Sequence, residues 1–146
     1  MVGATTYCVY FFHDMMLPTM RYLGIDYGSK RIGLALTDDK GMMAFPHSVI
    51  PSDGDVQKHI ESLVAKEGVT EIVIGHSLNR EGLPNKVHEK AEELMLNLTL
   101  ALGIPIHLEP EQYTTQEAIR IQGKHNMTDA AAATIILNSY LERHKQ

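Results

Sequence analysis

Two apolar runs, Tyr22-Leu23-Gly24-Ile25 and Ile32-Gly33-Leu34-Ala35-Leu36, flank the polar stretch Asp26-Tyr27-Gly28-Ser29-Lys30-Arg31. A glycine-containing polar turn between two apolar runs is a hairpin signal. It predicts buried strands over residues 21–26 and 31–37, joined antiparallel. It also delivers one carboxylate, Asp26, at the end of the first strand. Aspartate is rarely buried without a partner, so packing explains this residue poorly. A metal ion or a phosphate-binding turn explains it better, although an aspartate there can also simply bond the backbone of its own turn.

The pattern that follows fixes the class of fold. Asp38-Asp39-Lys40-Gly41 reads as a turn, and residues 43–50 as a third, short strand whose pairing Pro46 limits. The period then changes. Val56, Ile60, Leu63 and Val64 recur at helical spacing, with Ser52 or Asp53 as the expected cap and Gly68 past the end. Residues 71–75 form a β-rich run. Val87, Ala91, Leu94, Leu98 and Leu102 define a second amphipathic helix, stopped by Gly103 and Pro105, and residues 104–108 a fifth strand. Thr114 with Glu117 fits a capping box opening a helix that ends near Gly123. Thr128 can cap a last helix carrying Ile135, Ile136, Tyr140 and Leu141. Strands alternating with helices imply crossover connections and parallel pairing. The expectation is an α/β fold: a mixed five-stranded sheet, an antiparallel meander followed by βα units, with helices on both faces.

Bulk properties narrow the function. The 146 residues favour one core, expected over residues 20–146. Residues 1–19 contain no Lys or Arg, and His13 and Asp14 break their apolar stretch, so they do not read as a secretory signal. They are expected to be a loose extension, with an added edge strand over Tyr7–Phe12 as the other reading. No apolar run is long enough to span a bilayer. The lone Cys8 cannot form an internal disulfide, which fits a reducing, cytoplasmic setting. The net charge of −5 argues against a broad basic surface for nonspecific nucleic-acid binding.

In an open sheet, chemistry collects beyond the strand ends. Asp26 ends the first strand, Glu111 lies just past the fifth, and Asp129 opens the last helix. Three converging acids can hold two hard divalent ions together with substrate phosphate oxygens. Taken singly, Glu111 can equally be a solvated loop acid, and Asp129 a complement to a helix dipole. The eight histidines show no ligand spacing and are expected mostly at the surface; His76, after a strand, is the one candidate for acid–base or phosphate contact.

The segment from Met20 to Ala35 resembles the opening of the YqgF family, also called RuvX, a Holliday junction resolvase-like family. Residues 72–82 resemble its strand and glycine-containing loop, residues 111–118 its acid and Thr-Thr segment, and residues 128–141 its last helix, which begins with an acid. The resemblance runs in order over residues 20–142. It implies an RNase H-like fold and a nuclease that processes the 16S rRNA precursor in ribosome biogenesis, with RNA preferred over branched DNA. It further implies two Mg²⁺ or Mn²⁺ ions, bridged by Asp26 and flanked by Glu111 and Asp129. By the same resemblance Lys30 and Arg31 contact phosphate, and Asn79, with Gly82, orients the loop or touches substrate. The chain departs from the family at Pro110 and Gln112, which stand where Asp and Arg are usual, at His76-Ser77, and in the short connector before Asp129. Glutamine cannot replace a bidentate arginine. Glu109 lies two residues from Glu111 and competes with it for the middle position, though the spacing to Thr114 and Thr115 favours Glu111. Two rival readings remain: a module of the same fold that binds nucleic acid or protein without turnover, and an ATPase of the actin and sugar-kinase type, which lacks room here for its second lobe.

Overall fold

The computed structural model describes residues 19–76, 86–110 and 129–144. Residues 1–18 of the expected extension (residues 1–19), Asn79 and Gly82, Glu111, the Thr114–Gly123 helix and the Thr128 cap lie outside the described residues.

Five strands form one sheet: β1 (Arg21–Tyr27), β2 (Arg31–Thr37), β3 (Ala44–Pro51), β4 (Val69–His76) and β5 (Ile106–Pro110), in the spatial order β3-β2-β1-β4-β5. β1 pairs antiparallel with β2, and β2 with β3; β4 runs parallel to both β1 and β5. This is the expected meander followed by crossover units. β3 is an edge strand, as Pro46 requires, since proline has no N–H to give a second neighbour. Leu34 faces Ser48 while Ala35 faces Pro46, so His47 is an extra residue in the ladder, a bulge of the kind that blunts exposed edges.

Helices cover both faces. α1 (Val56–Glu67) and α2 (Lys86–Leu102) cover one, and α3 (Asp129–Arg143) the other. Strand alternation sorts the side chains. Leu23, Ile25, Ile32, Leu34, Ile72 and Ile74 join Ile60, Val64, Leu94 and Leu98 in one core. Ala35 and Val73 join Ala133, Ile136, Leu137 and Tyr140 in the other. Fully burying a side chain such as Leu137 or Ile136 contributes about 1.5–3 kcal/mol, so α3 is held to the sheet mainly by apolar contact.

Some local expectations needed correction. Asp55, not Ser52 or Asp53, stands at the N-cap of α1, and its side chain makes no cap bond. Asp53 instead accepts a hydrogen bond from the Asp55 backbone N–H at 2.9 Å. A local side-chain turn thus holds the entry that a cap was expected to hold. Gly68 ends α1 in the left-handed conformation, φ 67°, as a C-cap glycine should. On α2, His88 is buried in place of an apolar residue. Its Nε2 lies 3.0 Å from Glu92 one turn on, so the ring packs inward while its polar edge stays bonded.

Candidate metal and phosphate site

The site is built where β1 ends. In the ladder, Asp26 lies opposite Gly33 of β2 and Gly75 of β4, and Gly75 in turn faces Glu109 of β5. Partners in a ladder point to the same face. The core assignments of Ile25 and Leu108 on the other side place the row Gly33–Asp26–Gly75–Glu109 on the face covered by α3. Asp26, half-buried, therefore stands between two residues without side chains. That leaves its carboxylate room on both flanks.

The start of α3 lies on this row. A Cβ on Gly33 would fall 1.8 Å from the Asp129 carbonyl oxygen and 2.8 Å from the Ala130 nitrogen. The helix backbone thus rests directly on the strand residue paired with Asp26. Cross-strand Cα atoms stand about 5 Å apart, so the first and last of the three expected acids share one corner of the sheet. The run Ala130–Ala133 keeps the helix slim enough to approach; at Gly24 the same helix comes within 2.9 Å of a hypothetical Cβ, through the Ala133 carbonyl. Sequence reading missed Gly33 as a contributor. The available signal was a glycine inside a strand, which marks close backbone approach.

Arg31 is also at this corner. It shares the α3 face with Gly33 by alternation, and its Nε lies 3.2 Å from Asp129 Oδ2. Lys30 is exposed at the hairpin tip, where its carbonyl accepts a bond from the Ser52 N–H at 3.0 Å. Of the two basic residues expected to meet phosphate, Arg31 is thus in contact with Asp129, while Lys30 stands exposed one residue before it.

Glu109 behaves differently. It lies two strand spacings, about 10 Å, from Asp26. It is only 2% exposed, accepts a hydrogen bond from Ser139 Oγ at 3.2 Å, and forms an ion pair with Arg143. It ties β5 to the end of α3. Replacing Arg143 by alanine leaves a buried carboxylate with a hydroxyl for support. We expect a loss of about 1–3 kcal/mol in chemical denaturation, partly recovered in E109Q/R143A because the buried charge goes too. An unchanged midpoint in R143A would show that the pair is incidental.

Among the described residues no three His, Cys, Asp or Glu side chains gather into a metal cage; Glu111 is outside that set. What the described residues supply is two hard oxygen-donor groups at one corner, a donor type suited to Mg²⁺ or Mn²⁺ rather than to softer metals.

Comparison with known proteins agrees with this architecture. The RuvX family model, described as Holliday junction resolvase, matches residues 20–143. A protein of Syntrophus aciditrophicus, provisionally named pre-16S rRNA nuclease, is 37% identical over 137 residues, covering 87% of this chain and 91% of its own. One of Opitutus terrae with the same provisional name is 34% identical over 139 residues, covering 85% and 92%. Among solved structures, Thermus thermophilus RuvC in complex with a Holliday junction substrate superposes with a TM-score of 0.58 at 13% identity, covering 85% of this chain and 95% of that one. The fowlpox virus Holliday junction resolvase gives 0.54 at 11% identity, covering 85% and 99%. At such identities these two structures speak to the fold alone.

Proposed function

Because the chain belongs to the RuvX family, we propose that it is a metal-dependent nuclease that hydrolyses phosphodiester bonds in the 16S rRNA precursor. The nuclease assignment rests on relatives that match over most of their own length. The observation that carries the site is the seating of α3 on Gly33, which sets Asp129 beside the strand pair containing Asp26. Asp26, Asp129 and Glu111 are the residues that would hold one or two Mg²⁺ or Mn²⁺ ions. Glu109 is left out, since its carboxylate serves Ser139 and Arg143. Bound ions of this kind stabilise charge on the attacking and leaving oxygens of a displacement at phosphorus.

The chain's own side chains have separable tasks. Asp26 stands between two glycines, Gly33 and Gly75, which put no side chain beside it in the row. Lys30 and Arg31 supply positive charge to the phosphate backbone next to the scissile position, which fixes register without reading sequence. Asn79 is the proposed third substrate contact. With a net charge of −5 there is little long-range attraction for a polyanion. Binding should therefore depend on few phosphate contacts and fall only shallowly with salt. RNA as the preferred substrate and a cytoplasmic location belong to the same proposal.

The test is a cleavage assay on an end-labelled 16S precursor fragment and on a four-way DNA junction, with Mg²⁺ and with excess EDTA. The expected result is Mg²⁺-dependent cutting of the RNA, faster than of the junction and abolished by chelation. Cutting that persists in EDTA would remove the metal from the proposal. Cutting of the junction alone would reverse the substrate assignment. Tight binding without cutting would favour a nucleic-acid-binding module, the outcome that Gln112 in place of the family arginine makes worth separating.

A further inference from the structure

The Arg31–Asp129 contact joins two residues that the proposed function employs elsewhere. Asp129 is to face a divalent cation, and Arg31 a phosphate. At 3.2 Å between Nε and Oδ2, the guanidinium occupies a carboxylate oxygen that such a cation needs. We infer that Arg31 is a resident counter-cation of the acidic corner. It neutralises Asp129 in the metal-free protein, competes with the divalent ion for that carboxylate, and is freed toward substrate phosphate when the ion binds. This inference rests on the proposed nuclease reading.

Three features support an exchangeable contact rather than a structural one. The Arg31 side chain is 72% exposed and that of Asp129 35% exposed, so the guanidinium can leave without breaking a packed surface. The backbone beneath it is fixed: the Arg31 carbonyl accepts the Gly28 N–H at 3.0 Å, and Arg31 pairs with Pro51 across the ladder. Exchange therefore needs only side-chain rotation. Finally, Asp129 starts its helix over Gly33, the ladder partner of Asp26, and a cation at that corner offsets negative charge that the two carboxylates bring to it. A divalent ion does the same with twice the charge, so one cation can replace the other. By linkage, whatever draws Arg31 to a phosphate lowers its competition at Asp129, so Arg31 makes metal and phosphate binding reinforce each other.

The test is a calorimetric titration of the full chain with Mn²⁺ in the absence of nucleic acid. R31Q should bind Mn²⁺ about three- to fivefold more tightly than wild type, the size set by a half-exposed ion pair. K30Q removes the same formal charge one residue away without removing that pair, and should change affinity by less than about twofold because screening weakens a more distant charge. D129N should bind more weakly, and R31Q should add nothing in that background. Equal or weaker binding by R31Q, or an equal gain in K30Q, overturns the inference. In that case Mn²⁺ binding that D129N weakens would still leave the nuclease reading standing. Failure of the wild-type chain to bind Mn²⁺ would overturn both.

Discussion

Replacing Asp26 by asparagine should lower cleavage by more than about a hundredfold, because losing even a supporting partner of a metal ligand commonly costs 10–100-fold. Asn keeps the shape of the side chain and loses the charge. It sits between Gly33 and Gly75, where the isosteric change displaces no neighbouring strand side chain, so the metal-free variant should still fold and unfold in one cooperative transition. Added Mn²⁺ separates the two proteins. A ligand that binds only the folded state raises the midpoint according to its concentration over its dissociation constant. Wild type should therefore gain stability with Mn²⁺, and D26N should not. Measuring both properties on one preparation distinguishes a lost site from a lost fold. D26N that cuts at near wild-type rate would remove Asp26 from the chemistry.

Gly33→Ala carries the largest expected structural effect. Its Cβ would stand 1.8 Å from the Asp129 carbonyl oxygen and 2.2 Å from the Asp129 carbonyl carbon. Those are backbone atoms at the start of a helix, and they cannot rotate away as a side-chain tip does. Either α3 lifts from the sheet or β2 bends. The cost of such overpacking is about 3 kcal/mol, which corresponds to a fall of very roughly 10 °C in melting temperature for a domain of this size. The displacement acts on the Asp129 end of the helix, so Mn²⁺ affinity and cleavage should fall with it. Gly24→Ala is the matched comparison. It meets the Ala133 carbonyl at 2.9 Å and Leu137 Cβ at 3.0 Å, a milder overlap one turn further along α3. G24A should lose some stability while keeping more of its metal affinity. Wild-type stability and metal affinity in G33A would show that α3 is not seated on Gly33 as described.

Most of the architecture was legible in the chain because each element announces itself locally. The apolar runs around a polar turn marked β1 and β2, helical spacing of apolar residues marked α1 and α2, and the alternation of strands with helices implied the crossovers that make β4 and β5 parallel. Besides the N-cap of α1 and the part played by Gly33, the positions that stayed hidden are ones where a polar residue sits inside. His88 looked like a surface residue because nothing in its neighbours reveals that Glu92 will accept its ring nitrogen. Between Glu109 and Glu111, the spacing to Thr114 and Thr115 favoured Glu111 for the middle position, but it could not say what Glu109 does. Burial of Glu109 against Ser139 and Arg143, 30 and more residues away, assigns it to holding α3, while Glu111 lies outside the described residues.

The division has a physical basis. Hydrophobic period, turn chemistry and the family motif are properties of short stretches, and they determined the strands and helices, their order along the chain and the identity of Asp26, Lys30 and Arg31 as candidates. Which groups actually meet depends on how two layers stack. The absence of a side chain at Gly33 lets α3 settle onto β2, and only that contact brings Asp129 to the Asp26 corner and into the reach of Arg31. Such a contact joins residues nearly a hundred positions apart, so it is decided by packing between layers rather than by any local preference of the chain.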